Sequence, residues 1–204
     1  MATRQLDLEI VKGSTFSHVE RLALETAPYI YKAITAVTKA APVSITSTAH
    51  GLATGWRAAI LSVGGMRQLR AKSDPPRVND FHAVTVVDAN TITLNDVNSL
   101  DFTAYTSGGS LVYYTPLSIA SCTARLMIRS TAEATGDPLV SLTSSAGITL
   151  DDTEHTITIT VSATDTAAYT FTRGVYDLEL VVTATSVVTK LLSGNVVVSE
   201  EVTR

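Results

Sequence analysis

A chain of 204 residues exceeds one average domain and falls short of two, which fits either one domain carrying a large insertion or two small domains. With 45% hydrophobic and 17% charged residues it is not a charged, apolar-poor disordered chain. A net charge of −4 with 6% aromatics gives neither the basic field nor the stacking platform of a nucleic-acid binder.

The residue counts already favour strands. There are 31 Thr and 22 Val, and such β-branched side chains are stiff and pack well on a pleated surface. The opening MATRQLDLEIVKG lacks the apolar core of a signal peptide, and no apolar run approaches the roughly 18 residues that cross a bilayer. The expectation is a soluble chain made without secretory export and without membrane insertion. A single cysteine, Cys122, excludes an internal disulfide and a multi-cysteine metal site, and its setting in Ser121-Cys122-Thr123-Ala124 reads as a small apolar strand residue.

In chain order, residues 5–11 predict a strand with Leu6, Leu8 and Ile10 on one face. Val19, Leu22 and Ala23 suit one face of a short helix or an irregular segment, and 29–35 predict a second strand. Pro42 and Pro116 then bracket a segment whose charge differs from its flanks: residues 1–38 are neutral, 39–115 carry +1 and 116–204 carry −5. The reading is a discontinuous parent domain, 1–38 with 116–204, interrupted by a module at 39–115. Inside the module, 43–46, 58–63, 83–87, 91–94 and 111–114 predict five short strands, for which a small β-barrel or a rolled sheet is the natural closure. Residues 64–80 break that pattern with two glycines, two adjacent prolines and the basic set Arg67, Arg70, Lys72 and Arg77. They predict an exposed arm or long loop, either merely solvated or docking on an acidic neighbour.

After Pro116 the alternation sharpens. Strands are predicted at 123–129, at 155–161 with Ile157, Ile159 and Val161 inward, and at 176–182 with Tyr176, Leu178, Leu180 and Val182 inward. Two more are expected at 185–192 and 194–202, turning at Ser193-Gly194-Asn195, and a single helical turn capped by Thr164 or Asp165 at 163–169. This spacing of strands and turns is that of an antiparallel sandwich, so the fold class is all-β.

Chemistry is sparse. Nucleophile elbow, phosphate loop, dinucleotide fingerprint and zinc-protease motif do not occur. His18, His50, His82 and His155 stand singly, without a second ligand at metal spacing. Asp96 to Asp101 starts like a calcium loop but has Leu100 and Asp101 where an oxygen ligand and glycine are needed. Asp177 and Glu179 share a strand face, as any solvent-facing pair alternating with leucines would. The expectation is a protein that is not an enzyme and needs no cofactor or metal.

Two stretches resemble known families. Thr48-Ala49-His50-Gly51-Leu52-Ala53-Thr54-Gly55, with the later Val-Val-Asp-Ala-Asn-Thr-Ile segment, resembles the His-Gly-Leu-x-x-Gly module of many tailed-phage proteins, itself often described as similar to a β-domain of ubiquitin-activating enzymes. The likeness covers about 70 residues and implies a small β-barrel in which His50, Gly51, Leu52 and Gly55 are structural; it does not imply ubiquitin chemistry. The flanks are similar, over about 125 residues, to the immunoglobulin-like amino-terminal domain of phage baseplate upper proteins. That second likeness rests on Leu6-Asp7-Leu8-Glu9-Ile10, Ala124-Arg125-Leu126-Met127-Ile128-Arg129, Tyr176-Asp177-Leu178 and the closing segment around Gly194. In that family the two strand sets adjoin in sequence, whereas here the module separates them. Many relatives continue into a fibre or host-binding region, and this sequence stops at Arg204, so receptor binding is not carried over.

The resemblances imply an immunoglobulin-like β-sandwich with an inserted β-barrel, serving as a structural component of a tailed-phage virion in the baseplate or distal tail. Such a protein is made in the host bacterial cytoplasm, resides in the virion, and has other virion proteins as partners, as a homo-oligomer or symmetric ring. Two alternatives stand beside it. One is a host-glycan adhesion module using Trp56, Phe81, Phe102 and Tyr105, and the other is a head or neck decoration or connector protein.

Overall fold

The computed structural model describes residues 3–24 and 29–202. The chain is all-β and divides into two compact units, Met1–Glu25 with Pro116–Arg204, and Thr26–Thr115. Thr203 and Arg204, which close the carboxy-terminal motif, lie outside the described residues.

The discontinuous unit is a β-sandwich. Its strands are β1 (Arg4–Gln5), β2 (Leu8–Val11) and β3 (Phe16–Arg21), then, beyond the insert, β11 (Cys122–Arg129), β12 (Val140–Thr143), β13 (Ile148–Asp151), β14 (Thr156–Val161), β15 (Arg173–Val182) and β16 (Val188–Ser199). One sheet runs β1-β16-β15-β11-β12 with β2 also on β16, and the other runs β13-β14-β3. β1 and β2 lie parallel to β16, and the other pairs are antiparallel. The insert occupies the connection between β3 and β11. Ile10, Leu126, Tyr176, Leu178 and Leu192 from the larger sheet close on Ile148, Ile157 and Ile159 from the smaller, all at most 3% exposed. At about 1.5–3 kcal/mol for each such side chain, this shared core is the main force holding the sheets together.

Three details depart from the sequence reading. Residues 16–21 form a strand, not a helix, because Phe16, His18 and Glu20 alternate with exposed neighbours; the inward Glu20 is held by Arg4 at 2.5 Å and His18 at 3.4 Å. Ser193-Gly194-Asn195 is not a turn: β16 passes through it unbroken. A Cβ on Gly194 would stand 2.1 Å from the Leu6 carbonyl oxygen, so the glycine is there for close backbone approach. The helical turn is α1 (Ala163–Ala167), and its cap is Ser162, whose hydroxyl accepts from the Asp165 amide at 3.1 Å.

The insert contributes β4 (Ile30–Ala33), β5 (Ala36–Thr38), β6 (Val43–Thr46), β7 (Arg57–Leu61), β8 (His82–Asp88), β9 (Thr91–Leu94) and β10 (Ser110–Tyr113). They form one antiparallel sheet in the order β4-β10-β7-β8-β9-β6-β5. Residues 29–38, assigned from sequence to the parent domain, therefore belong to the insert: β4 pairs with β10 and β5 with β6. The sheet begins and ends on one extended run of chain, interrupted where the Ile34 amide donates to Gly109 and the Thr35 amide to Thr46. Among the described residues no ladder joins β4 to β5, so the expected five-strand closed barrel is replaced by a seven-strand sheet. Its core includes Ile45, Ile60, Ile92, Leu94 and Leu111, each fully buried.

Candidate functional site

Each residue singled out by sequence has a defined place. His50 is 1% exposed and bonded through both ring nitrogens: Nε2 meets the Asp88 carbonyl oxygen at 2.9 Å and Nδ1 accepts the Leu52 amide at 3.0 Å. The proton thus sits on Nε2, and the ring clamps the 47–55 turn to the β8–β9 hairpin. Gly51 and Gly55 have φ of +71° and +88°, where L side chains are strained, and Tyr113 donates its hydroxyl to the His50 carbonyl. Leu52 is buried beneath. The motif is a structural clamp.

The basic segment is not a free arm. Met66, Leu69 and Pro76 are buried, single 3₁₀ turns form at Arg67–Leu69 and Val78–Asp80, and the Ala71 amide donates to Ile60 at 2.7 Å. Arg70 donates from Nε to the Val63 carbonyl at 2.7 Å, so it fastens the loop. Arg67, Lys72 and Arg77 remain exposed, and none enters an ion pair among the described residues. The loop presents three cations on a folded base.

The aromatic set proposed for sugar binding does not converge on solvent. Trp56 and Phe81 are 6% and 4% exposed, and the Tyr105 hydroxyl donates to the Ile34 and Gly108 carbonyls. Phe81 stacks on Tyr114 with ring centroids 5.0 Å apart, and Tyr29 lies 4.8 Å from Tyr114. Its hydrogen bond with Tyr29, then burial, push the Tyr114 phenol up to about 12. Asp96, the head of the supposed calcium loop, faces His82, whose Nδ1 is 3.0 Å from both carboxylate oxygens. Burial raises the Asp96 carboxyl, but the hydrogen bond and charge of His82 outweigh it and leave the group below its ordinary range.

What remains is the outer face of the larger sandwich sheet. Strand alternation turns Arg125 and Met127 of β11, Asp177 and Glu179 of β15, and Lys190 of β16 away from the core. Arg125 Nε donates to Glu179 Oε2 at 2.7 Å and Lys190 Nζ to Asp177 Oδ2 at 2.6 Å. Half-exposed pairs of this kind contribute about 0.2–1 kcal/mol each, too little to account for them as stabilisers of the fold. A shift of register between Leu178 and Glu179 leaves Leu191 and Leu192 both buried, and thereby keeps both Lys190 and Ser193 on the outer side. Val11, Met127, Val188 and Val197 stand exposed on this same face, by 37%, 39%, 45% and 40%. A groove of about 660 Å³ lies over it, with Gln5, Ala132 and Asn195 in its lining. Tyr176 and Gly194 lie along this groove, and Tyr176 points its hydroxyl to the Leu6 carbonyl at 2.8 Å; burial drives its phenol up to about 12.

Sequence reasoning treated Asp177 and Glu179 as solvent-facing and missed the rest of the face. A signal was there: three consecutive valines, 196–198, necessarily place one on the outer side of any strand. The chain matches no protein-family model and no curated protein.

Proposed function

We propose that this protein is a non-enzymatic structural component of a tailed-bacteriophage virion, acting in assembly of the baseplate or distal tail. The observation that carries the reading is the outer face of the sheet built from β2, β16, β15, β11 and β12. Its central carboxylates, Asp177 and Glu179, are paired with cations across the strands, and exposed valines and a methionine surround them. Catalytic carboxylates are arranged to act on a reacting atom; these are arranged to present a balanced, partly apolar surface, which is what a protein neighbour covers. The class of particle comes from the likeness of the flanks and of the His50 turn to phage tail proteins. The paired use of both His50 nitrogens within the fold supports a structural role for that motif.

Mass spectrometry and antibody labelling of purified particles of the encoding phage test the reading. The expected result is stoichiometric presence of the chain with label at the distal end of the tail. Absence from particles overturns the proposal, and label at the neck or capsid replaces the baseplate role by a connector or decoration role.

A further inference from the structure

We propose that the outer face of the larger sandwich sheet binds the same face of a second copy of this chain, about a two-fold axis parallel to the strands and lying between β11 and β15. The inference deepens the assembly reading by naming the neighbour. Charge pattern selects both the partner and the axis. On this face β11 carries Arg125, Met127 and Arg129, and β15 carries Arg173 at one end and Asp177 and Glu179 in its middle, with Arg125 directly opposite Glu179 in register. Rotation about an axis between the two strands lays β11 of each copy over β15 of the other at the same height along the strands, Arg125 over Glu179 and Met127 over Asp177. Arg125 of each copy then meets Glu179 of its mate. A two-fold perpendicular to the strands in the plane of the interface lays arginine on arginine and is rejected by repulsion.

The existing ion pair has capacity for this second contact. Within one chain, Arg125 engages Glu179 through Nε and Oε2. A guanidinium has five N–H donors and a carboxylate about four acceptor positions, so both groups keep sites directed outward. Apolar groups accompany the charged centre: Val188 beside Val181 at one end, and Met127 within it opposite Asp177. Their exposure ends when a second face covers them. About this axis β11 and β12 of each copy lie over β15 and β16 of the other. Four strands about 4.8 Å apart and a ten-residue β15 rising about 3.3 Å per residue overlap over roughly 19 Å by 33 Å, or about 630 Å² for each partner, at the low end of the range for specific interfaces.

The test uses the full chain in analytical ultracentrifugation over a micromolar concentration series. Wild type is expected to dimerise, and less tightly as salt is raised. Arg125→Glu and Glu179→Arg are each expected to weaken the dimer by at least about tenfold, because each places like charges across the interface. An equimolar mixture of the two variants is expected to recover dimers. In the mixed pair the new carboxylate at position 125 meets the new guanidinium at position 179, and the unaltered Glu179 and Arg125 meet each other. Rescue by mixing is a result that misfolding cannot imitate. Met127→Asp, which charges the covered centre without removing either ion pair, is expected to give monomers with an unchanged circular-dichroism spectrum. A monomeric wild type, variants that dimerise as wild type does, or a mixture of folded variants that stays monomeric overturns the inference. None of these outcomes alters the particle measurement, so the two proposals fail separately.

Discussion

At the scale of single residues, His50 shows how a side chain that looks chemical is consumed by structure. A buried imidazole with Nε2 on a carbonyl oxygen and Nδ1 on an amide has no lone pair or proton left for a substrate. Replacing it by alanine leaves the Leu52 amide buried without a partner and frees the part-buried Asp88 carbonyl, at roughly 1–3 kcal/mol. His50→Ala is therefore expected to lower the urea midpoint of the insert markedly; a midpoint within error of wild type would show that the clamp carries no stability. The turn itself was legible from sequence, since Gly51 and Gly55 announce positive φ. Its partner was not, because Asp88 lies far along the chain and only the fold of β8 onto β9 brings its carbonyl to the ring. Arg70 teaches the same lesson in reverse: grouped by sequence with three exposed cations, it is tied to Val63 by a contact that composition does not reveal.

Among elements, legibility followed the polarity of the inward face. β14 and β15 were plain because their inward residues are Ile157, Ile159, Leu178 and Leu180. β3 was hidden because its inward His18 and Glu20 are polar and become tolerable only beside Arg4 of β1. Inward charge of this kind also guards an edge strand against pairing with foreign strands, which gives the departure from apolar alternation a physical purpose. β16 was misread as two strands because glycine between serine and asparagine has turn composition, whereas its cause lies across the sheet. The Leu6 amide donates to Ser193 at 2.9 Å, and Asp7 Oδ1 accepts from the Asn195 amide at 2.8 Å. A methyl group at 194 would strike the backbone between those bonds. Gly194→Ala is expected to push β1 off β16 at a cost of about 2 kcal/mol, with hydrogen exchange accelerated first at the amides of Leu6 and Asn195. Uniform loss of protection across the sandwich, or none, would count against this placement of the strain.

For the whole molecule, the nested organisation was legible from composition, but its first boundary was set too late. Residues 30–38 have the alternation of a sandwich strand, and nothing local distinguishes pairing with β10 and β6 from pairing with β3. The second boundary was marked by Pro116, and the sandwich shows why both ends fall together. Ala23 forms an antiparallel bridge with Pro116, and the Leu117 amide donates to the Leu22 carbonyl at 3.0 Å. The chain thus leaves the sandwich and returns to it on two hydrogen-bonded neighbours. Bridge partners have Cα atoms about 5 Å apart, a gap that a few flexible residues span at little cost in closure entropy. The sandwich core, moreover, is drawn wholly from 1–25 and 116–204. Replacing residues 26–115 by a short Gly-Ser linker is therefore expected to leave a chain that folds cooperatively and keeps the β-sheet signal of the sandwich. Shortening this connection also lowers the separation in sequence of β3 from β14, so refolding should be faster than in the full chain. Circular dichroism with thermal and stopped-flow measurements on the shortened chain decides the matter. An unfolded product would mean that the insert supplies stability to the sandwich, and that the two compact units form a single cooperative one.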